Sequence, residues 1–383
     1  MNADDKEVAV HGRGETMSRR ELLLPDLTIR GFRGLNELTI PHMGRVTLLT
    51  GRNGVGKTTV LEAIRILASY GRPSELRAIL NTSDELRDTR NSKGGTRVVP
   101  DWPALFFGRR MTDTTELTIG HSSSQTQLVL FSSRLTEKEL DLYYRETIPE
   151  EPIRAIRVSS DGIDSIVGLF PQEEWIPGGV RRLAQELPFP ILCETLGPGI
   201  IKNADLARWW DKIALNPEED RVREALSILT GREISGVVMI GKNTSPRSMV
   251  GGIRPMVKFR DEQTRVPLRS LGDGAIRLFS IVLALVNCRN GFLLLDEAEN
   301  GLHYSVQKTL WTMVLQTAES HNVQVIATTH SYDCIRGFAY AANELSDIEG
   351  RLVRLSHKGG YLHTVDYPEA KLLVAAENSL ELR

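Results

Sequence analysis

With 41% hydrophobic and 25% charged residues over 383 positions, the chain has material for one large domain or two and the composition of an ordinary globular protein. Its 47 basic and 49 acidic residues leave a net charge of −2, which excludes a bulk basic footprint for nucleic acid, and no run of about twenty apolar residues is present to span a bilayer. Three cysteines (Cys193, Cys288, Cys334) lack metal-ligand spacing, so buried reduced thiols are expected, together with a cytoplasmic location, no signal peptide and no membrane contact.

Residues 1–18 are polar and aperiodic, with a second methionine at Met17, and read as a flexible tail. Val46–Thr50 reads as an apolar β-type stretch. From Thr58 to Tyr70 apolar residues fall at Val60, Leu61, Ile64, Leu67 and Ala68, which is helical spacing, with Gly71 and Pro73 as its stop. A long insertion follows over 72–265. It holds a polar, Gly- and Arg-rich stretch from Asn81 to Val98, then strand-like alternation at Glu116–Ile119 and Gln127–Phe131, and helical spans at Ala204–Ala214 and Glu218–Leu229. No heptad pattern is sustained, so a short helical lid is expected rather than a coiled-coil arm. Adjacent Trp209 and Trp210 read as packing residues, and the basic pairs Arg19–Arg20, Arg109–Arg110 and Arg181–Arg182, like Arg30 and Arg33, as solvated charge.

Beyond the insertion, Ser270-Leu271-Gly272-Asp273-Gly274 precedes a helix over Ala275–Val286. Phe292–Leu295 reads as a fully buried strand ending in Asp296-Glu297. Glu299–His303 makes a turn into a helix around Val306–Ala318, and Val323–Thr328 is a second buried strand, ending in Thr329-His330-Ser331. A hairpin over Leu352–Thr364, turning through Lys358-Gly359-Gly360, closes the readable pattern.

Two of these segments carry chemistry. Gly51-Arg52-Asn53-Gly54-Val55-Gly56-Lys57-Thr58 fits a phosphate-binding loop: glycines let backbone amides curl round phosphate oxygens, the lysine reaches the β- and γ-phosphates, and the hydroxyl holds Mg²⁺. It sits between a strand and a helix N-terminus, where the dipole favours an anion. The nucleotide-binding set is Asn53, Gly54, Val55, Gly56, Lys57, Thr58 and Thr59. The second segment delivers two carboxylates at the C-terminal end of a strand: Asp296 to share the metal with Thr58, and Glu297 to polarise water. His330 ends the next strand and is expected beside them. Ser270 and Gly272 offer an anion site, and the residues leave open whether it acts on the chain's own nucleotide or a neighbour's.

In this order the motifs resemble the ABC-type ATPases of the SMC, RecF and OLD lineage, closest to short stand-alone AAA ATPases of bacterial defence loci. The resemblance implies an α/β head with a mixed central sheet, an antiparallel β subdomain and a short helical lid. It divides the chain into a tail (1–18), an N-terminal lobe with the phosphate loop (19–71), the insertion (72–265) and a C-terminal lobe (266–383). It also makes Ser270-Leu271-Gly272-Asp273 the signature motif, with Ser270, Gly272 and Asp273 as nucleotide contacts, Glu299–His303 the D-loop and His330 the switch histidine. Arg269 and Leu271 depart from the usual signature, the Q-loop glutamine has only Gln125 and Gln127 as candidates, and His303 is equally a structural or a chemical residue. Catalysis is expected from Glu297, His330 and Lys57, with ATP and Mg²⁺, in a head-to-tail homodimer or higher oligomer. Little sequence follows His330, so a toprim-like nuclease effector would be a separate polypeptide. The expected role is a sensor ATPase controlling such an effector in antiphage defence, with a DNA-clamping repair ATPase of the RecF kind as the alternative and a non-catalytic scaffold as the third reading.

Overall fold

The computed structural model describes residues 21–90, 96–122, 127–139, 154–160, 163–169, 190–199, 201–241, 253–359, 361–368 and 372–374. The 1–18 tail, Arg19–Arg20, Gln125, Arg181–Arg182 and Gly360 lie outside them. Strands β1 (Leu27–Phe32) and β2 (Leu35–Ile40) pair antiparallel around Arg33 and Gly34. After β3 (Val46–Thr50) comes helix α1 (Lys57–Ala68). Pro73 does not merely stop that helix. It is the first residue of α2 (Pro73–Thr82), where its missing N–H has no partner to lose and its fixed φ suits the helix. The polar stretch that followed in the sequence reading is a hairpin of β4 (Leu86–Arg90) and β5 (Thr96–Pro100).

The antiparallel sheet is completed by β6 (Glu116–Gly120), β7 (Gln127–Arg134), β8 (Arg154–Ser160) and β9 (Ile163–Leu169), in the order β2-β1-β6-β7-β8-β9. Strand β10 (Cys193–Leu196) returns to the central sheet, so the 72–265 stretch is not one insertion: its middle is core. Four residues that include Glu194 and Thr195 carry no strand period of their own, and the assignment comes from pairing with a distant partner. Helices α3 (Asn203–Ile213) and α4 (Pro217–Thr230) and a small sheet of β11 (Ile234–Gly241), β12 (Ile253–Phe259) and β13 (Arg265–Pro267) lead to α5 (Asp273–Asn287). Then follow β14 (Phe292–Leu295), α6 (Gln307–His321), β15 (Gln324–Thr328), α7 (Tyr332–Glu344), β16 (Gly350–Lys358) and β17 (Tyr361–Pro368).

The central sheet runs β10-β14-β15-β3-β16-β17, parallel except for the last strand. Successive side chains on a strand face opposite ways, and here both faces are covered. Leu293, Leu295, Val325, Ala327, Val46 and Leu48 pack with α3 to α7, whereas Phe292, Leu294, Ile326 and Leu49 pack with α1, α2 and the antiparallel sheet. Double coverage is why Phe292–Leu295 is an unbroken apolar run and why β3 and β15 are fully buried along their length. Trp209 and Trp210 are both buried in the first of these cores, Trp210 with its ring 5.9 Å from that of Phe279. The three cysteines are free thiols, and burial pushes Cys193 and Cys334 up to about 12. Among the described residues no helix is long and apolar enough to cross a membrane.

Candidate active site

Register places the chemistry. β15 lies between β14 and β3 in parallel alignment, with Ala327 level with Leu295 on one side and Leu48 on the other. The three C-terminal ends therefore emerge side by side, bringing the Gly51–Thr58 loop, Asp296-Glu297 and Thr329-His330 together from widely separated parts of the sequence. Thr329 N–H donates to Leu49 O and Ala298 N–H to Thr328 O, which fastens the three exits to one another.

In the loop, Gly51 has φ 139° and a Cβ there would lie 2.4 Å from Leu355 O, so only glycine lets the chain leave β3 against β16. Gly56, φ 106°, is the N-cap of α1; no side chain caps the helix and no acid occupies its first turn. Its first amides are thus free to meet an anion. Asn53, Gly54 and Thr58 are exposed, Gly56 and Thr59 half-buried, and Val55 is buried beneath the loop. Lys57 Nζ donates to the carbonyls of Gly51 (2.7 Å) and Arg52 (3.2 Å) and so lies folded within the loop. Burial lowers its pKa, against the opposing attraction of Asp296, Glu297 and Glu299.

Thr58 Oγ1 donates to Asp296 Oδ2 at 3.0 Å, joining the two motifs directly. A hydroxyl and a carboxylate are hard oxygen donors of the kind Mg²⁺ takes, and the donor set fits that ion. The other oxygen, Asp296 Oδ1, accepts from Thr328 Oγ1 at 2.6 Å; the same hydroxyl accepts Glu297 N–H at 2.9 Å. Glu297 itself has φ 48°, a region that bulky L-residues seldom adopt. His330 Nδ1 lies 3.8 Å from Glu297 Oε1 and 3.7 Å from Glu299 Oε1, and its backbone N–H donates to Glu299 Oε1 at 3.1 Å. Beside Thr58 and Asp296 opens a cavity of about 710 Å³ between α1, α2 and β10, with Glu62, Arg65, Glu194 and Arg208 in its walls. Burial raises the Glu62 pKa although Arg33 is 2.8 Å away and Ser83 donates to it.

The Ser270–Gly274 segment is arranged differently. Ser270 lies exposed in a 3₁₀ turn (Leu268–Leu271), and the N-cap of α5 is Gly272, φ 97°, with Asp273 in the first turn. Among the described residues no hydrogen bond or ion pair joins Ser270, Gly272 or Asp273 to the Gly51–Thr58 loop. Their neighbour is the Glu299–His303 turn: a Cβ on Gly274 would lie 2.9 Å from Gly301 O. His303 caps the short helix Tyr304–Val306 by accepting Ser305 N–H, and its ring packs 4.2 Å from that of Tyr304. Gln127 donates to His121 O within its own β-hairpin.

Two further contributors, Thr328 and Arg277, come to light only in the fold. Thr328 is the polar last residue of an apolar strand, and Arg277 is the single charged side chain between Asp273 and Arg289; each stands out as polar in an apolar run. Neither is identifiable without knowing which carbonyls and carboxylates the fold brings to it.

Residues 26–148 match the model of an AAA domain, and residues 206–335 that of an AAA ATPase domain. The chain is 22% identical over 340 residues to the ATP/GTP phosphatase of Helicobacter pylori, covering 82% of this chain and 86% of that one. To the OLD nuclease of Thermus scotoductus it is 23% identical over 346 residues, covering 81% of this chain and 59% of that protein. A solved SMC head domain from Thermotoga maritima aligns with a TM-score of 0.41 at 15% identity, over 90% of this chain and 98% of that one. A phosphate loop, an acidic pair and a histidine at three adjoining strand ends, within two AAA segments, define an ATP-hydrolysing head. Over both segments the chain is similar to AAA ATPases, and over most of its length to an ATP/GTP phosphatase and an OLD nuclease.

Proposed function

We propose that the chain hydrolyses ATP with Mg²⁺ at a site shared between two copies, and that occupancy of this site sets whether the pair is closed or open. The observation that carries the reading is the Thr58–Asp296 contact at 3.0 Å with Glu297 and His330 beside it. Lys57 and the loop amides hold the β- and γ-phosphates, Thr58 and Asp296 hold the metal, Glu297 takes the proton of the attacking water, and His330 steadies the γ-phosphate. When bound, the metal supplies charge neutralisation to the transferred phosphoryl group. Ser270 and Gly272, which among the described residues make no hydrogen bond or ion pair to the Gly51–Thr58 loop, suit a role on the neighbour's nucleotide. Contacts made only to the γ-phosphate are lost on hydrolysis, and this biases a two-state interface.

Such a switch is suited to a sensor that restrains or releases a separately encoded effector, the role we assign it in antiphage defence. The test is direct. Lys57→Ala is expected to abolish ATP binding, whereas Glu297→Gln is expected to bind ATP, to hydrolyse it only at a slow residual rate and to accumulate as a dimer in sizing experiments with ATP. Normal turnover in either variant removes the assignment. ATPase stimulation that grows with DNA length would favour the DNA-clamping alternative.

A further inference from the structure

Arg277 enters α5 about one turn after its Gly272 cap and is only 6% exposed. Its guanidinium donates to three backbone carbonyls: Gly197 at 2.6 Å, Asp296 at 2.9 Å and Glu297 at 3.1 Å. Among the described residues it makes no ion pair. Burial lowers its pKa, partly offset by the fields of Glu299, Asp296 and Glu297. A charge taken out of water and given only carbonyls is an expensive way to fill space. What the carbonyls share is position, since two of them flank the residue on which hydrolysis depends and the third belongs to the segment just after β10.

We propose that Arg277 is a positioning residue for hydrolysis, clamping the Asp296–Glu297 junction so that the Glu297 carboxylate is aimed at the reacting water. The inference rests on Glu297 being the base proposed above. Glu297 occupies the left-handed region, and its amide is held by Thr328 while its carbonyl and the preceding one are held by Arg277. With both ends fixed, only the side-chain torsions remain to aim the carboxylate. A planar fork of N–H donors can serve several acceptors at once in a fixed geometry, as a lysine ammonium on a flexible stem cannot. The clamp also ties the acidic pair to the helix whose first turn follows the signature, so a displacement of that turn is transmitted to Glu297 within one protomer.

The test uses the full chain with Arg277→Lys, Arg277→Gln, Glu297→Gln and the double variant of Arg277→Gln with Glu297→Gln. Nucleotide affinity is read by fluorescent-ATP titration and hydrolysis in single turnovers with protein in excess. Both arginine variants are expected to bind ATP within about threefold of wild type and to hydrolyse it about 10- to 100-fold more slowly. The double variant is expected to be no slower than Glu297→Gln alone, because a clamp has nothing left to aim. Hydrolysis within about threefold of wild type in both arginine variants overturns the inference, as does a double variant showing the product of the two single losses. Failure of both to fold, or equal losses of affinity and rate, assigns Arg277 to the architecture and overturns it too. If Glu297→Gln itself hydrolyses normally, the base assignment fails whatever Arg277 does; if it is inactive while Arg277→Lys and Arg277→Gln are normal, only the clamp fails.

Discussion

Replacing Thr328 with valine deletes one hydroxyl from a fully buried side chain at nearly constant volume. That hydroxyl donates to Asp296 Oδ1 and accepts the Glu297 amide. A hydrogen bond to a charged acceptor is worth about 1.5–3 kcal/mol, and a buried amide left without an acceptor costs about 1–3 kcal/mol. The two losses fall on neighbouring groups and do not simply add, so the expected destabilisation is about 2–4 kcal/mol. At about 1.2 °C per kcal/mol for a chain of this size, the melting temperature should fall by roughly 2–5 °C. Because both members of the acidic pair lose a support, the hydrolytic rate should fall about 10- to 100-fold, equivalent to about 1.4–2.7 kcal/mol of barrier. Thr328→Ser keeps the hydroxyl and loses a methyl, costing about 1 kcal/mol with turnover within about threefold. Calorimetry and phosphate release measure both quantities. If Thr328→Val melts and turns over as wild type, or if the serine and valine variants are equally slow, the hydroxyl does not support the pair and the reasoning is refuted.

Gly51→Ala should weaken ATP binding at least about tenfold in a fluorescent-nucleotide titration, since its Cβ would meet Leu355 O at 2.4 Å and the loop must shift; unchanged affinity would contradict the geometry. Trp210→Ala should cost about 3–5 kcal/mol in urea unfolding, because the indole is buried against Phe279, and a loss below about 1 kcal/mol would mean the site collapses freely. Burial lowers the Lys57 pKa, so as pH rises the amine loses its charge earlier than an ordinary lysine and ATP affinity should fall from below the usual lysine range. The sign for stability is opposite: between the lowered folded pKa and the higher unfolded one the unfolded chain binds more protons, so that contribution to stability grows with pH. Flat affinity from neutral pH up to the ordinary lysine range would show that the charge on Lys57 is not what holds phosphate.

Elements with local logic were readable in advance. The phosphate loop, the Phe292–Leu295 strand and the helices near Ala204, Glu218 and Ala275 follow from spacing, capping and apolar runs. The juxtaposition of Thr58, Asp296 and His330 was also readable, because adjacent parallel strands must present their C-terminal ends together. Features defined by a partner were not. Cys193–Leu196 becomes a strand only by pairing with Phe292–Leu295, and the polar hairpin of β4 and β5 lacks the alternation that a buried face imposes. Pro73 breaks helices inside them and starts them at their first position, and the sequence does not distinguish these uses. Arg277 and Thr328 take their meaning from carbonyls and carboxylates that the fold alone brings to them.

The place of β3 has a consequence for how the polypeptide is made. All five of its residues are buried, and its two partners in the central sheet begin at Gln324 and Gly350. At about 5–20 residues per second, a ribosome needs roughly 15–60 s to travel from the first of these strands to the last. Throughout that interval the nascent chain carries an apolar strand without its sheet partners, joined to a glycine loop, while the antiparallel strands through Leu169 are completed well before those partners are made. Such a strand invites capture by chaperones or by other nascent chains. Translation that stalls before residue 324 would therefore yield a product bearing the whole loop sequence and no capacity to grip nucleotide.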